Sequence, residues 1–473
     1  MKAVTRGRGL RRTVTAVLFG TLAAWTPVRA DTLADALVGA YINSGLLDQN
    51  RALLRAADED VAGATALLRP ILNWSADLTR DFGDTLTSND FQTRGLEATT
   101  AAINLTLDML LWDNGATRLG VDVAKETVLA TRQNLVSVEQ QVLFRAVQAF
   151  MDLRAAIEFV DVRQNNLRLL TEELRAAQDR FEVGEVTRTD VALAEAAQAQ
   201  ARSGLAQAQG NLISAREEYR NAVGREPGRV EVPPSIPNLE GNVEAAKAGA
   251  LRVHPNIRAA QHQVAAAELA ILRAKAQISP SLRGGGRLGY SERVDSDAFT
   301  RGGSIGLNLS GPIYQGGALA SNVRRAMALR DSERANLYTV QLDVAQNVGT
   351  AYAELAAARA SVAAAERGIE ASTIAFEGVR EEATLGARTT LDVLNAEQDL
   401  LDAVNTRIEV QTQLYVAAYG VLAATGQLTV RDLRLNLPQY DPAAYYNLAK
   451  DAPVRKSKHG QALDRVLESL QKR

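Results

Sequence analysis

The sequence predicts an α+β membrane protein in which long helical hairpins, of the kind that build a coiled-coil barrel, are joined to four short amphipathic strands. Three observations carry this reading. The chain repeats itself at a constant offset, its helical stretches are far longer than a globular core needs, and its strand-like stretches have one apolar and one polar face. Gly115, Phe150, Gly184 and Gly224 recur as Gly317, Tyr352, Gly386 and Gly426, each 202 positions further on. Between 181 and 195, six of fifteen positions are identical at that offset: Gly184, Thr187, Asp190, Val191, Ala194 and Glu195. A repeat this long is a duplicated half-protein rather than a solenoid unit of roughly 20–50 residues.

The first element is expected to be removed. Lys2, Arg6, Arg8, Arg11 and Arg12 precede a mostly apolar run from Thr13 to Trp25, and Val28-Arg29-Ala30 offers a small-residue cleavage site. That is the pattern of a secretory signal peptide over 1–30. Without it the chain has 47 basic and 55 acidic residues, a net charge of −8. Each half then opens with an Ala-rich helical segment that ends at a proline, 33–69 before Pro70 and 243–279 before Pro280. A helix is expected to stop there because the residue before proline is driven out of the α region.

Two period-two segments follow in each half. Leu72, Trp74, Ala76 and Leu78 alternate with Asn73, Ser75 and Asp77, and Ile103, Leu105 and Leu107 alternate with Asn104, Thr106 and Asp108. The second half offers Leu282, Leu288 and Tyr290, then Ile305, Leu307 and Leu309 against Ser304, Asn308 and Ser310. These read as four strands, with connecting loops at 83–98 and 292–302. No stretch after the signal supplies the ~20 uninterrupted apolar residues of a membrane helix. Any membrane contact must therefore be made by strands, and four strands cannot close without leaving two edges open in lipid. Three copies would give a twelve-stranded barrel, inside the size range and even-number habit of outer-membrane barrels.

Very long helices come next, at about 117–183 and 319–385, with coiled-coil spacing such as Ala146, Ala149, Leu153, Ile157 and Val160. Each turns at a glycine and returns over about 190–224 or 392–426. A short opening helix and a short return helix together match one long helix, so the two could lie end to end beside it. The resulting divisions are 1–30 signal peptide, 31–69 helical, 70–113 strands, 114–224 helical hairpin, 225–279 connector and helix, 280–316 strands, 317–427 second hairpin and 428–473 tail. The tail from 451 on, rich in Lys and Arg, is expected to be a mobile extension.

Composition excludes much chemistry. With no Cys there is no disulfide or thiolate site, and three scattered His make a zinc centre a poor fit. Balanced charge leaves no footprint for nucleic acid. Gly284-x-Gly286-x-x-Gly289 matches a dinucleotide fingerprint by letter but lies in an alternating strand, so no cofactor is expected. His254 and His262 read as packing or surface residues, and Trp74 and Tyr290 as candidates for an interfacial aromatic belt. No nucleophile–base pair or phosphate loop emerges, and the chain is not expected to be an enzyme.

The junctions Leu111-Trp112-Asp113-Asn114-Gly115 and Gly311-Pro312-Ile313-Tyr314-Gln315-Gly316-Gly317, the opening Thr32-Leu33-Ala34-Asp35-Ala36-Leu37, and the two tips around Gly184 and Gly386 together resemble the TolC family of outer-membrane efflux proteins. The resemblance runs from about 32 to 430. It implies a homotrimeric channel-tunnel whose β-barrel crosses the outer membrane and whose helical barrel reaches through the periplasm. It also implies a tip that closes as an iris and docks on a periplasmic adaptor, which is coupled to an inner-membrane transporter of ABC or RND type. The duct would serve drug efflux, type I protein secretion or both. The competing reading is a periplasmic coiled-coil adaptor, which would normally have one hairpin where this chain has two.

By the same resemblance Thr189, Asp190, Arg388, Asp392 and Asn395 fall at the periplasmic gate, and Gly184, Thr187, Gly386 and Thr389 at the adaptor-contacting turns. Thr187-x-x-Asp190 and Thr389-x-x-Asp392 also have the spacing of a helix-start capping box. Arg388 has Val186 as its repeat partner, so fold symmetry does not ask for a charge there. In the family an arginine at this place bonds across to the Thr-Asp of the other tip, here Thr189 and Asp190. Asn395 stands where the family's pattern has a second aspartate, and Ala383 where a tyrosine often reinforces closure. A ring of three Asp392 carboxylates would favour cations.

Overall fold

The computed structural model describes residues 30–87, 92–233 and 235–471. The expected signal peptide lies outside the described residues except for Ala30. The chain begins with β1 (Ala30–Asp31), which pairs in parallel with β4 (Arg229–Val230). The Asp31 carboxylate is buried there, accepting from Tyr219 Oη at 3.2 Å and Gly228 N at 2.8 Å and pairing with Arg225.

The helical segment expected at 33–69 is two helices, α1 (Leu33–Asn43) and α2 (Gly45–Ala66). They break at Ser44, whose hydroxyl caps α2 by accepting from Leu47 N at 3.3 Å. The second repeat breaks at the same place, into α5 (Val243–Val253) and α6 (Pro255–Ala276). Pro255 occupies the first turn of α6, where its missing N–H costs nothing, and His254 Nδ1 accepts from Asn256 N at 3.2 Å.

Between these pairs lie β2 (Ile71–Thr87), β3 (Gln92–Trp112), β5 (Ser281–Arg293) and β6 (Phe299–Ser310), forming one antiparallel sheet in the order β2-β3-β5-β6. Much of the loop expected at 83–98 is strand, since the β2–β3 ladder runs unbroken from Ile71↔Asp108 to Thr87↔Gln92. Only 88–91 fall outside the described residues. One register shift opposes Leu110 and Trp112 on β3 to Arg283 and Leu282 on β5. One face carries Leu72, Trp74, Leu78, Ile103, Leu105, Leu288, Ile305 and Leu307, all exposed, with Trp74 at 76% and Ile305 at 96%. Both edge strands, β2 and β6, have one unpaired side among the described residues.

Two helices of 67 residues follow the strands, α3 (Ala116–Glu182) and α7 (Ala318–Thr384). At ~1.5 Å per residue each is about 100 Å long. Gly115 and Gly317 enter them at φ 81° and 86°, a conformation that only glycine adopts cheaply. The returning helices are α4 (Arg188–Val223), packed along α3, and α8 (Thr390–Ala424), packed along α7 and also against α3. The opening helices line the remaining length, with α2 on α3 and α6 on both α3 and α7. The junction between α1 and the end of α4 is close: Asn43 Nδ2 donates to Val223 O at 3.0 Å beside Gly224.

The main core gathers where these helices converge, around Leu37, Leu54, Leu143, Phe150, Leu153, Tyr219 and Val223. The C-terminal region is not a detached extension. Helix α9 (Pro442–Ala449) is tied to α2 by Tyr445 Oη donating to Glu59 Oε1 at 2.7 Å, and α10 (Lys458–Gln471) packs Leu463 against Tyr445 and Ala449. Among the described residues no helix is long and apolar enough to cross a membrane, and no cluster of metal-ligating side chains occurs.

Candidate functional site: the paired helical tips

The far ends of the hairpins are two turns with the same backbone. After Glu182, Gly184 N donates to Phe181 O at 3.0 Å and Glu185 N to Arg180 O at 2.9 Å. After Thr384, Gly386 N donates to Ala383 O at 3.0 Å and Ala387 N to Glu382 O at 2.9 Å. These are Schellman caps, closed by glycines at φ 84° and 76°. The return helices start with capping boxes. Thr187 N and Oγ1 donate to Asp190 Oδ2 at 2.9 and 2.6 Å while Asp190 N donates back to Thr187 Oγ1 at 3.3 Å. Thr389 and Asp392 repeat the set at 2.9, 2.8 and 3.2 Å.

Those hydrogen bonds hold both carboxyls below the usual aspartate range, for Asp190 through Thr187 and for Asp392 chiefly through the Thr389 N–H and hydroxyl. Both tips therefore keep a full negative charge at neutral pH. Between them lies a cleft of about 530 Å³ whose lining includes Glu173, Arg180, Glu185, Asp190, Arg388 and Val393. Arg388 reaches this cleft but does not bond to Thr189 or Asp190 within the chain. Its Nε donates to Glu382 Oε2 at 2.7 Å, inside its own turn. Thr189 is exposed one residue before Asp190, and Asn395 is exposed one turn beyond Asp392.

A further residue was not singled out from the sequence. Glu397, about two turns into α8, is only 4% exposed. Asn166 Nδ2 on α3 donates to its Oε1 at 2.8 Å, and its Oε2 has no partner among the described residues. Burial pushes this carboxyl up to about 7, with Glu173 adding to the rise and the Asn166 bond and Arg380 opposing it. Its repeat partner Glu195 is exposed. The identity of the two glutamates across the repeat was a signal, but nothing in the spacing says that only one of them meets a third helix. The histidines fall as expected of packing and surface residues: His254 is a buried cap, and His262 Nδ1 lies 2.8 Å from Glu126 Oε2.

Comparison with known proteins gives this geometry a context. A family model described as outer membrane efflux protein matches residues 37–225 and 249–427. The outer membrane efflux protein BepC of Brucella suis is 35% identical over 440 residues, covering 92% of this chain and 94% of its own. The alkaline protease secretion protein AprF of Pseudomonas aeruginosa is 26% identical, covering 77% and 76%. The crystal structure of the CmeC outer membrane channel of Campylobacter jejuni superposes with a TM-score of 0.74 at 17% identity, over 95% of this chain and 94% of that one. A helical tunnel joined to a sheet is thus the shared fold, and a periplasmic adaptor is not what these matches describe. The chain is an outer-membrane protein and belongs to the outer membrane efflux protein family.

Proposed function

We propose that three copies of this chain assemble into an exit duct through the outer membrane, closed at its periplasmic tip and opened when an adaptor and an inner-membrane transporter dock there. One observation carries the reading: a four-stranded sheet with an exposed apolar face and open edges is fused to helices about 100 Å long. Such a sheet is satisfied in lipid only when closed by other strands, and three copies bring twelve. The polar alternates, among them Asn104, Asp108, Arg283 and Arg287, would then face a water-filled lumen, and the apolar face would meet lipid.

At the tip, Arg388 supplies the closing contact. The Asp190 cap uses only Oδ2, so Oδ1 and the Thr189 hydroxyl remain as acceptors for the Arg388 fork of a neighbouring copy. The Glu382 bond holds the guanidinium ready in its turn. With Asn395 and Ala383 adding no further charge or phenol, the gate rests mainly on this arginine. Three Asp392 carboxylates give the constriction a cation preference. The efflux protein BepC and the protease secretion protein AprF support an efflux duty and a secretion duty respectively, and the same duct would serve either.

The test is single-channel recording of the purified protein in a planar bilayer. Wild type should give small, long-lived steps, Arg388→Ser steps several-fold larger, and Val186→Ser, at the equivalent place in the other tip, no change. Equal conductance in wild type and Arg388→Ser would remove the gate assignment. A protein that pellets with membranes and folds, yet never conducts in either form, would remove the duct.

A further inference from the structure

The polar face of the sheet contains a built recess. Strand pairing sets Arg287 opposite Ser304 on β6 and Thr106 on β3, Gly289 opposite Gly302 and Asn104, and Ser291 opposite Thr300. Because side chains alternate along a strand, all of these lie on one face. The Gly289–Gly302 pair removes two side chains from the middle of the group and leaves a hollow of about 270 Å³. A Cβ on Gly302 would meet nothing within 4 Å, whereas one on Gly289 would come to 2.9 Å of Asn104 Oδ1. Gly289 thus makes way for Asn104, whose Oδ1 accepts from Arg287 Nε at 3.3 Å and Nη2 at 2.9 Å.

The guanidinium is therefore held in place by a neutral acceptor. Arg283, four residues earlier on the same face, is instead neutralised by Asp108 at 3.1 Å. Among the described residues no carboxylate pairs with Arg287. Asp77, two strands away on that face, accepts from Ser75 Oγ at 3.2 Å and Asn104 Nδ2 at 3.4 Å. The hollow is lined by Arg287, which keeps Nη1 without a hydrogen-bond partner among the described residues, together with the hydroxyl-bearing Ser291, Thr300 and Ser304. A planar fork with hydroxyl donors around an open space is suited to an oxyanion, which it would bind through charge-assisted hydrogen bonds.

We propose that this recess is an oxyanion-binding subsite, taking the phosphate or carboxylate group of a solute. The inference rests on the reading above that the polar face lines a lumen. Three copies would then carry three such subsites toward the β5–β6 hairpin, opposite in sign to the acidic ring at the tip. Solutes bearing an oxyanion would be held weakly on their way out, and Arg287 would be the residue that selects for them.

The experiment is a titration of inorganic phosphate into the full chain in neutral detergent, followed by ³¹P line broadening and repeated with variants whose helical melting matches wild type. Wild type should bind saturably. Arg287→Gln should weaken binding at least ten-fold, and Gly302→Leu, whose Cβ has open space around it and whose side chain would occupy the hollow, at least five-fold. Arg283→Gln should leave binding within two-fold. Equal binding by wild type and Arg287→Gln, equal loss in Arg283→Gln, or no saturable binding by wild type would overturn the subsite. Bilayer recording of the same preparations separates the two readings. Conducting channels in which Arg287→Gln changes neither phosphate binding nor ion selectivity leave the duct standing and the subsite lost. Phosphate binding that depends on Arg287 in a protein that never conducts leaves the subsite standing and the duct lost.

Discussion

At Gly184 and Gly386 the chain turns twice through the same backbone, with the same Schellman cap before the glycine and the same Thr–Asp box after it. The surroundings differ. In the first tip Val186 is followed by a return helix whose Glu195 is exposed. In the second, Arg388 is bonded to Glu382, and Glu397 is buried against Asn166 of α3. The duplication copied what is local, namely caps and helix lengths. What distinguishes the halves is which third helix each hairpin meets inside the chain: α8 lies against α3, and α4 does not have the equivalent neighbour along its length. An inherited motif has become a symmetric scaffold carrying asymmetric chemistry.

The largest expected break in that comparison is at the two glutamates. Glu397 is raised from the ordinary glutamate value of 4.5 to about 7. The folded protein therefore holds a proton that the unfolded chain releases, and its stability falls as pH rises from about 4.5 through about 7. Glu397→Gln removes the buried charge, keeps an acceptor for Asn166, and should stabilise the protein by about 1–3 kcal/mol at pH 8 while leaving pH 4 nearly unchanged. Glu195→Gln should do neither. Melting of the helical circular-dichroism signal at both pH values checks this. A wild-type curve as flat across that window as the Glu397→Gln curve would show the buried carboxyl to be ordinary.

How much of this was legible follows from how local each feature is. The turns at Gly184 and Gly386 and the boxes at Thr187 and Thr389 could be read because three or four consecutive residues dictate them. The alternation marks strands shorter than the ladder, since beyond Thr79 it fades: Arg80 and Glu97 stand on the otherwise apolar face, 3.7 Å apart, while the backbone pairing continues. Pro255 was a visible sign that the second opening helix is broken, and Ser44 a fainter one for the first. The burial of Glu397 and the Arg287–Asn104 bond beside the recess depend on partners more than 180 residues away in sequence, which no local pattern encodes.

A middle-sized effect tests whether the turns themselves are equivalent. A Cβ on Gly184 or Gly386 would meet nothing within 4 Å, so Gly→Ala costs only the strain of a left-handed backbone, about 1–2 kcal/mol at either site. Amide hydrogen exchange across each tip should rise equally in the two variants. A clearly larger rise for Gly386→Ala would mean that the Arg388–Glu382 bond depends on the turn's exact geometry.

The smallest effect is the most local. Thr187→Ala and Thr389→Ala each remove the hydroxyl that accepts from the amide of Asp190 or Asp392, at 3.3 and 3.2 Å, and that donates to the carboxylate. Loss of such a cap costs about 1 kcal/mol, roughly a five-fold rise in the local exchange rate of the freed amide. The carboxylate would also lose its strongest stabilising partner in the first tip and a lesser one in the second, because Asp392 leans first on the Thr389 backbone N–H. Hence Thr187→Ala should raise the Asp190 titration more than Thr389→Ala raises that of Asp392, even though the exchange rates change alike. Thr→Ser at either site keeps the oxygen and should restore both readouts. Equal carboxyl shifts in the two alanine variants would mean that the hydroxyl supports the two carboxylates alike, so that the boxes are electrostatically as well as geometrically the same.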